Sequence, residues 1–217
     1  MQTETTLQGS KTFPGVILAG GLSSRMGENK ANVRLGGMTL IDRAIRRLGP
    51  QVSTLSISAN EPLSLNCQSP VPIFSDLDDS RSGPLAGILA ALLHTRVHHP
   101  NATHVATVPT DSPFFPLDLV ACLSAVIDHP DRTAVAASSG GLHPVFGLWP
   151  VALADELDEW LRGGRSLRLR AWLDGHSTRQ VHFSDRQTPR GPFDPFFNIN
   201  TPDDLAVAEG WLEALEP

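Results

Sequence analysis

Two hundred and seventeen residues, 41% of them hydrophobic and 18% charged, are enough for one domain with a sizeable core and too apolar for a disordered chain. Seventeen basic against 23 acidic side chains give a net charge of −6, and without a dense Lys/Arg run the chain lacks the basic face of a general nucleic-acid binder. No apolar run approaches about 18 residues, so no membrane span is expected. The polar start, Met1 to Ser10, carries no secretory signal, and Cys67 and Cys122 sit in no metal or redox spacing, which points to the reducing cytoplasm.

Residues 1–13 are expected to form a flexible N-terminal segment, and 14–217 a single domain. Val16-Ile17-Leu18 predicts the opening strand. Leu40, Ile41, Ala44, Ile45 and Leu48 recur at helical spacing. Strands are predicted at Leu55-Ser56-Ile57 and Val71 to Phe74. The segment from Pro84 to Leu93 is apolar nearly all round, which suits a helix packed between layers. A strand at Val105 to Val108 and a helix at Leu117 to Ile127 follow. Ala134 to Ala137, a Ser-Ser-Gly-Gly turn and Val145 to Trp149 read as a hairpin added to the sheet. Leu153, Ala154, Leu157, Trp160 and Leu161 predict an amphipathic helix. An irregular insertion is expected from Gly163 to Asp194, with a short strand at Val181 to Phe183. Thr201 then caps a last helix that has Pro202 in its first turn and ends at Leu215. This alternation predicts an α/β fold: a mostly parallel sheet with helices on both faces and an antiparallel hairpin added.

The first strand runs into Leu18-Ala19-Gly20-Gly21, then through Ser23, Ser24, Arg25 and Gly27 to Lys30. Glycines let backbone N–H groups approach an anion where side chains would collide, and Arg25 and Lys30 add positive charge to the same turn. Lys30 is conspicuous, because Lys11 is the only other lysine in the chain. The turn is not a Walker loop, which needs Gly-Lys followed by Ser or Thr, nor the Gly-x-Gly-x-x-Gly dinucleotide fingerprint. A bare Gly-Gly turn reads first as a tight connection. With Arg25, Gly27 and Lys30 in register it reads as a phosphate cradle.

Ligands of open α/β sheets sit beyond the carboxyl ends of the strands. Four predicted strands end in polar groups there: Gly20-Gly21, Asn60, Asp76 and Asp111. Asp111, in Val-Pro-Thr-Asp-Ser-Pro, is either a turn-forming aspartate or a Mg²⁺ ligand. A bare carboxylate about 4 Å from a phosphate oxygen is repelled by about 4 kcal/mol at an effective dielectric near 20. Such an aspartate makes sense beside a triphosphate chiefly with a divalent cation between them. Asn60 and Asp76, taken alone, read as turn formers, although an amide or carboxylate can also bond a base edge. Ser82-Gly83-Pro84 opens a helix whose free N–H groups suit an anion, and Gly87 fits either nucleotide approach or close helix packing. Asn198 and Asn200 flank Ile199, so both are expected on one face of a strand. Arg162, Arg165, Arg168 and Arg170 gather around Gly163-Gly164 and either receive an anion or cover a helix end. Eight histidines show no metal-ligand spacing; His98-His99 read as an exposed loop, and His143 fits a strand start as well as a site.

Leu18-Ala-Gly-Gly-x-Ser-Ser-Arg-Met-Gly-x-x-Lys30 resembles the signature of the molybdenum cofactor guanylyltransferases, a branch of the nucleotidyltransferase superfamily. Ser82 to Gly87, Pro109 to Phe114, His143 to Leu148 and Phe197 to Pro202 resemble later segments of the same family, in its order. The resemblance implies a three-layer α/β/α Rossmann-like fold. It implies transfer of GMP from GTP to the terminal phosphate of molybdenum-molybdopterin, releasing pyrophosphate. It further implies Arg25, Lys30 and Asp111 as catalytic residues, with Mg²⁺ on Asp111. GTP contacts would come from Leu18, Ala19, Gly20, Gly21, Lys30, Asn60, Asp76 and Asp111, and acceptor contacts from Asn198, Asn200 and Arg165. GTP and molybdenum-molybdopterin are then the expected partners, together with transient contacts to proteins that deliver or accept the cofactor, and without nucleic acid or membrane. Two alternatives stay open: a related transferase using CTP or making a nucleotide sugar, and a non-catalytic nucleotide or cofactor carrier.

Overall fold

The computed structural model describes residues 13–20, 29–66, 70–75 and 83–215. The expectations for the N-terminal segment up to residue 12, and for Gly21, Arg25, Cys67, Asp76 and Ser82, lie outside them. Seven strands form the main sheet: β1 (Gly15–Leu18), β4 (Leu55–Ser58), β5 (Ile73–Phe74), β6 (His104–Pro109), β7 (Thr133–Ser138), β8 (Gly141–Pro150) and β9 (Thr178–His182), in the order β5-β4-β1-β6-β8-β7-β9. Strands β5, β4, β1 and β6 are parallel neighbours. Strand β8 runs antiparallel between β6 and β7, and β9 pairs parallel to β7 at the far edge. The expected mixed sheet is present, with the hairpin built into its middle.

Alternation along β1 shows how short apolar runs make a two-faced sheet. Ile17 packs on one side with α1 (Leu40–Leu48) and α3 (Leu119–Ser124); Val16 and Leu18 pack on the other with α2 (Pro84–His98) and α4 (Ala154–Arg162). Nine residues of α2 are buried, because it lies between the sheet and α4, as its all-round apolar pattern requires. Its start fits its sequence: Gly83 takes φ +102 and Pro84 opens the first turn. The helix extends past the expected Leu93, so His98 is its last residue rather than part of a loop. Helix α3 is shorter than expected. Among the described residues, no helix is long and apolar enough to cross a membrane.

The segment from Gly163 to Asp194 is not irregular. It holds α5 (Leu169–Leu173), β9, and a small hairpin of β10 (Arg186–Thr188) and β11 (Gly191–Phe193). A second hairpin, β2 (Arg34–Leu35) with β3 (Met38–Thr39), precedes α1, whose N-cap Thr39 accepts from the Asp42 N–H. Helix α6 (Pro202–Leu215) closes the chain and packs on β2. Its start is a capping box. Thr201 Oγ1 accepts from the Asp204 N–H at 3.2 Å, and Asp204 Oδ2 accepts from the N–H groups of Asn200 and Thr201, each at 2.9 Å.

Candidate active site

The register of the parallel strands sets the site. Leu18 pairs with Ser58 on one side and Pro109 on the other, and Ser58 pairs with Phe74. The chain therefore leaves β1, β4, β5 and β6 at one edge, where Ala19-Gly20, Ala59-Asn60, Ser75 and Thr110-Asp111 emerge side by side. Two further backbone bonds hold this edge, from Ala19 N–H to Ser58 O at 2.8 Å and from Ala59 N–H to Phe74 O at 2.9 Å. Gly20 and Asn60 are exposed there. The Leu18 side chain is committed to the core beside Gly87, where a Cβ would meet Leu18 Cδ1 at 3.4 Å, so Gly87 serves helix packing.

Lys30 stands on a 3-10 turn, Lys30–Asn32, that its neighbours hold in place. Asn29 Oδ1 accepts from the Ala31 N–H at 3.0 Å, and Asn32 bridges the Pro62 carbonyl and the Ser64 N–H. From this turn Lys30 Nζ donates to Asp111 Oδ2 at 2.9 Å and to Asn200 Oδ1 at 2.6 Å. Three stretches far apart in sequence thus meet at one ammonium. The pair is neither buried nor free in water, with side-chain exposures of 17% for Lys30 and 22% for Asp111.

The loop carrying Asp111 is fixed from two sides. Its carbonyl accepts from the Ile199 N–H at 2.8 Å. Downstream, Arg47 donates to the Phe115 and Phe114 carbonyls at 2.7 and 3.1 Å, and Gln51 Nε2 donates to the Pro116 carbonyl at 3.1 Å. Asp111 Oδ1 is buried and has no hydrogen-bond partner among the described residues. A buried carboxylate oxygen left without a donor is costly, by about 1–3 kcal/mol. It suits one protein ligand to a divalent cation whose other ligands are phosphate oxygens and water. Among the described residues no three His, Cys, Asp or Glu side chains gather into a metal cage.

Asn198 and Asn200 do not lie on a strand: β11 ends at Phe193, and residues 194–200 carry no regular secondary structure. The alternation nevertheless holds, with Ile199 buried and both asparagines exposed. Core burial of Phe196 and Ile199 imposes it without a strand ladder. The Asn200 N–H is the largest influence holding the Asp204 carboxyl below the usual range, so the α6 cap also fixes Asn200. Arg165 follows α4 in an exposed loop, with its guanidinium 4.8 Å from the Trp160 ring centre. Among the described residues no hydrogen bond or ion pair joins it to Lys30, Asp111 or Asn200. Arg162 pairs with Asp158 at 2.8 Å.

Sequence reasoning passed over a polar cluster at the hairpin turn. Ser138 Oγ lies 2.6 Å from His143 Nε2 and donates to Asp194 Oδ2 at 2.7 Å, while the Gly140 N–H reaches the same carboxylate oxygen at 3.1 Å. Nothing local tied Asp194 to this cluster, because Ser138, Gly140 and His143 are all more than fifty residues away. Asp204 did carry one, the Thr-x-x-Asp spacing of a capping box.

A family model described as MobA-like NTP transferase domain matches residues 15–181. A molybdenum cofactor guanylyltransferase of Rhizobium rhizogenes is 49% identical over 203 residues, covering 94% of this chain and 94% of that protein. Among solved structures, molybdopterin-guanine dinucleotide biosynthesis protein A from Archaeoglobus fulgidus superposes with a TM-score of 0.67 at 24% identity, covering 93% of this chain and 99% of that one. A protein of Mycobacterium tuberculosis, Rv0371C, solved in complex with manganese, superposes with a TM-score of 0.61 at 16% identity, over 92% and 98% of the two chains.

Proposed function

The chain belongs to the MobA-like NTP transferase family, and on that footing we propose that it transfers GMP from GTP to the terminal phosphate of molybdenum-molybdopterin, forming the guanine dinucleotide cofactor and pyrophosphate. A phosphate oxygen of the acceptor attacks the α-phosphorus as the bond to the leaving pyrophosphate breaks. That nucleophile is already an anion and needs no general base. The barrier lies in bringing two anions together in line and neutralising the charge that builds on the α-phosphate and leaving group.

The observation that carries this reading is Lys30 Nζ bridging Asp111 and Asn200 at the carboxyl edge of the parallel strands. With GTP bound, the backbone of Gly20 and Gly21, with Arg25 and Lys30, holds the triphosphate. Lys30 trades its carboxylate and amide contacts for phosphate oxygens, which releases Asp111 for a divalent cation, Mg²⁺ in our reading. When bound, that ion supplies charge neutralisation and alignment of the phosphates. Main-chain groups of Leu18 and Ala19, with Asn60 and Asp76, recognise the nucleoside, and Asn198, Asn200 and Arg165 face the acceptor. The protein works in the cytoplasm on these two small substrates, with transient contacts to proteins that deliver or accept the cofactor.

Replacing Lys30 or Asp111 by alanine is expected to lower turnover at least a hundredfold, the usual scale for losing one charge-stabilising group. Both positions are partly exposed, so melting temperatures should stay within a few degrees. Wild-type turnover by a folded Asp111→Ala protein would remove the cation site from this reading.

A further inference from the structure

The cluster at the hairpin turn has a proton arrangement that can be counted. Ser138 ends β7, and its hydroxyl has one proton to give and two lone pairs to offer. The proton goes to Asp194 Oδ2 at 2.7 Å. The lone pairs receive the Gly140 N–H at 3.1 Å and, at 2.6 Å, His143 Nε2, which must therefore carry a proton. Asp194 Oδ1 accepts from the Phe196 N–H at 2.9 Å. Gly140 permits this closure, since a Cβ there would collide with Asp194 Oδ2. The Nε2 side of the imidazole is thus fully committed. Among the described residues nothing bonds Nδ1, and the side chain keeps 19% of its surface open. Burial holds the imidazole below its ordinary pKa, against a smaller opposing influence of Asp194, so Nδ1 carries a lone pair at neutral pH.

Strand β7 runs in the same direction as β6, because both are antiparallel to β8. Ser138 and the start of β8 therefore lie at the edge where Asp111 emerges. The His143 ring stacks on Phe196, with centres 4.6 Å apart and planes 18° apart. Two residues further on, the same stretch of chain shows Asn198 to solvent, then bonds Asp111 through Ile199 and Lys30 through Asn200. Through that stacking contact the imidazole adjoins the short segment, residues 196–200, that carries both asparagines and reaches Asp111 and Lys30.

We propose that His143 is a binding residue for the second substrate, accepting at Nδ1 a hydrogen bond from an N–H of the pterin ring while Ser138 and Asp194 fix its orientation. The proposal rests on the function given above. An uncharged acceptor suits the donor edge of a heterocycle; it would not suit a phosphate, whose natural partners here are Lys30 and the arginines.

Two amides separate the two sides of the ring. Glutamine places its amide near Nε2, keeping the Ser138 contact and offering nothing at Nδ1; asparagine places its oxygen near Nδ1 and loses Ser138. Turnover would be measured at saturating GTP with molybdenum-molybdopterin varied, and then the reverse, for wild type, His143→Gln and His143→Asn, alongside melting temperatures. Expected is a roughly tenfold rise in the acceptor KM for His143→Gln, the scale of one hydrogen bond, with the GTP KM and kcat within about twofold. His143→Asn should keep the acceptor KM within about threefold. An unchanged acceptor KM in a folded His143→Gln protein overturns the proposal, as does a rise in the KM of both substrates together. If the wild type fails to join GTP to molybdenum-molybdopterin, the functional reading fails first and this proposal with it.

Discussion

Lys30 makes contacts 81 and 170 residues away along the chain, and its meaning comes from those distances. Electrostatics at this residue alters the argument that the isolated Asp111 suggested. A lone aspartate would repel a triphosphate, but here an ammonium 2.9 Å away already offsets its charge. On the proposed function, the cation would become necessary only when phosphates drew Lys30 off. A compact ammonium suits that exchange better than a planar guanidinium, whose fork prefers bidentate partners. Lys30→Arg is accordingly expected to stay at least tenfold below wild type in turnover, assayed beside Lys30→Ala, although the charge is retained. Full activity in Lys30→Arg would mean that charge alone is required at this position.

Elements differed in how plainly the sequence announced them, for physical reasons. Strands β1, β4 and β6 were legible because each is a short run buried within the sheet, and β5 because Val71 to Phe74 is apolar although this edge strand leaves Ile73 exposed; their polar ends therefore pointed to the site edge. Helix α6 was legible from Thr201-Pro202. The two-residue strands β2 and β3 are too short for any period to show, and their Gly36-Gly37 turn, with φ of +56 and +81, is the one local clue. Strand β9 was only partly visible because it is an exposed edge strand with a polar sequence, held by register to β7. At the hairpin, the pairing slips between Val135 and Ala136, whose partners jump from Gly147 to His143. That irregularity accommodates Pro144, which has no N–H for a ladder, and no period predicts it. The candidate site divides the same way: Gly20, Asn60 and Asp111 could be placed at one edge, whereas the Lys30–Asn200 contact depends on tertiary folding. The α6 cap bears on both stability and site. Thr201→Ala should cost about 1 kcal/mol, read as a lowered melting temperature. Because the cap also holds the Asn200 N–H, the acceptor KM should rise while the GTP KM holds. A variant with normal stability and kinetics would show that the cap is dispensable.

For the molecule as a whole, acid should be the vulnerable direction. His94, His104 and His143 all have pKa values below the ordinary 6.5, with burial the leading cause in each, and His94, also repelled by His98 and His99, reaches about 4. The unfolded chain binds protons at these sites before the folded one does, so stability is complete above pH 6.5 and falls as pH drops toward the folded values. Asp42, Asp128 and Asp204 have lowered pKa values, and their contributions disappear only below the ordinary 3.8. Between pH 6.5 and about 4 the histidines therefore set the slope. The melting temperature should fall steadily over that range, and less steeply in His94→Phe, which keeps a ring on Phe74; a flat profile would contradict the neutral histidines. The three-layer fold serves one end, bringing Gly20, Lys30, Asp111 and the 194–200 segment to a common edge. Pyrophosphate release by the wild-type protein tests this most directly, with GTP, CTP, ATP or UTP supplied in turn, with and without molybdenum-molybdopterin and Mg²⁺. Release should require GTP, acceptor and Mg²⁺ together, one pyrophosphate for each dinucleotide formed; preference for another nucleotide, or GTP binding without any release when both substrates are present, would contradict it.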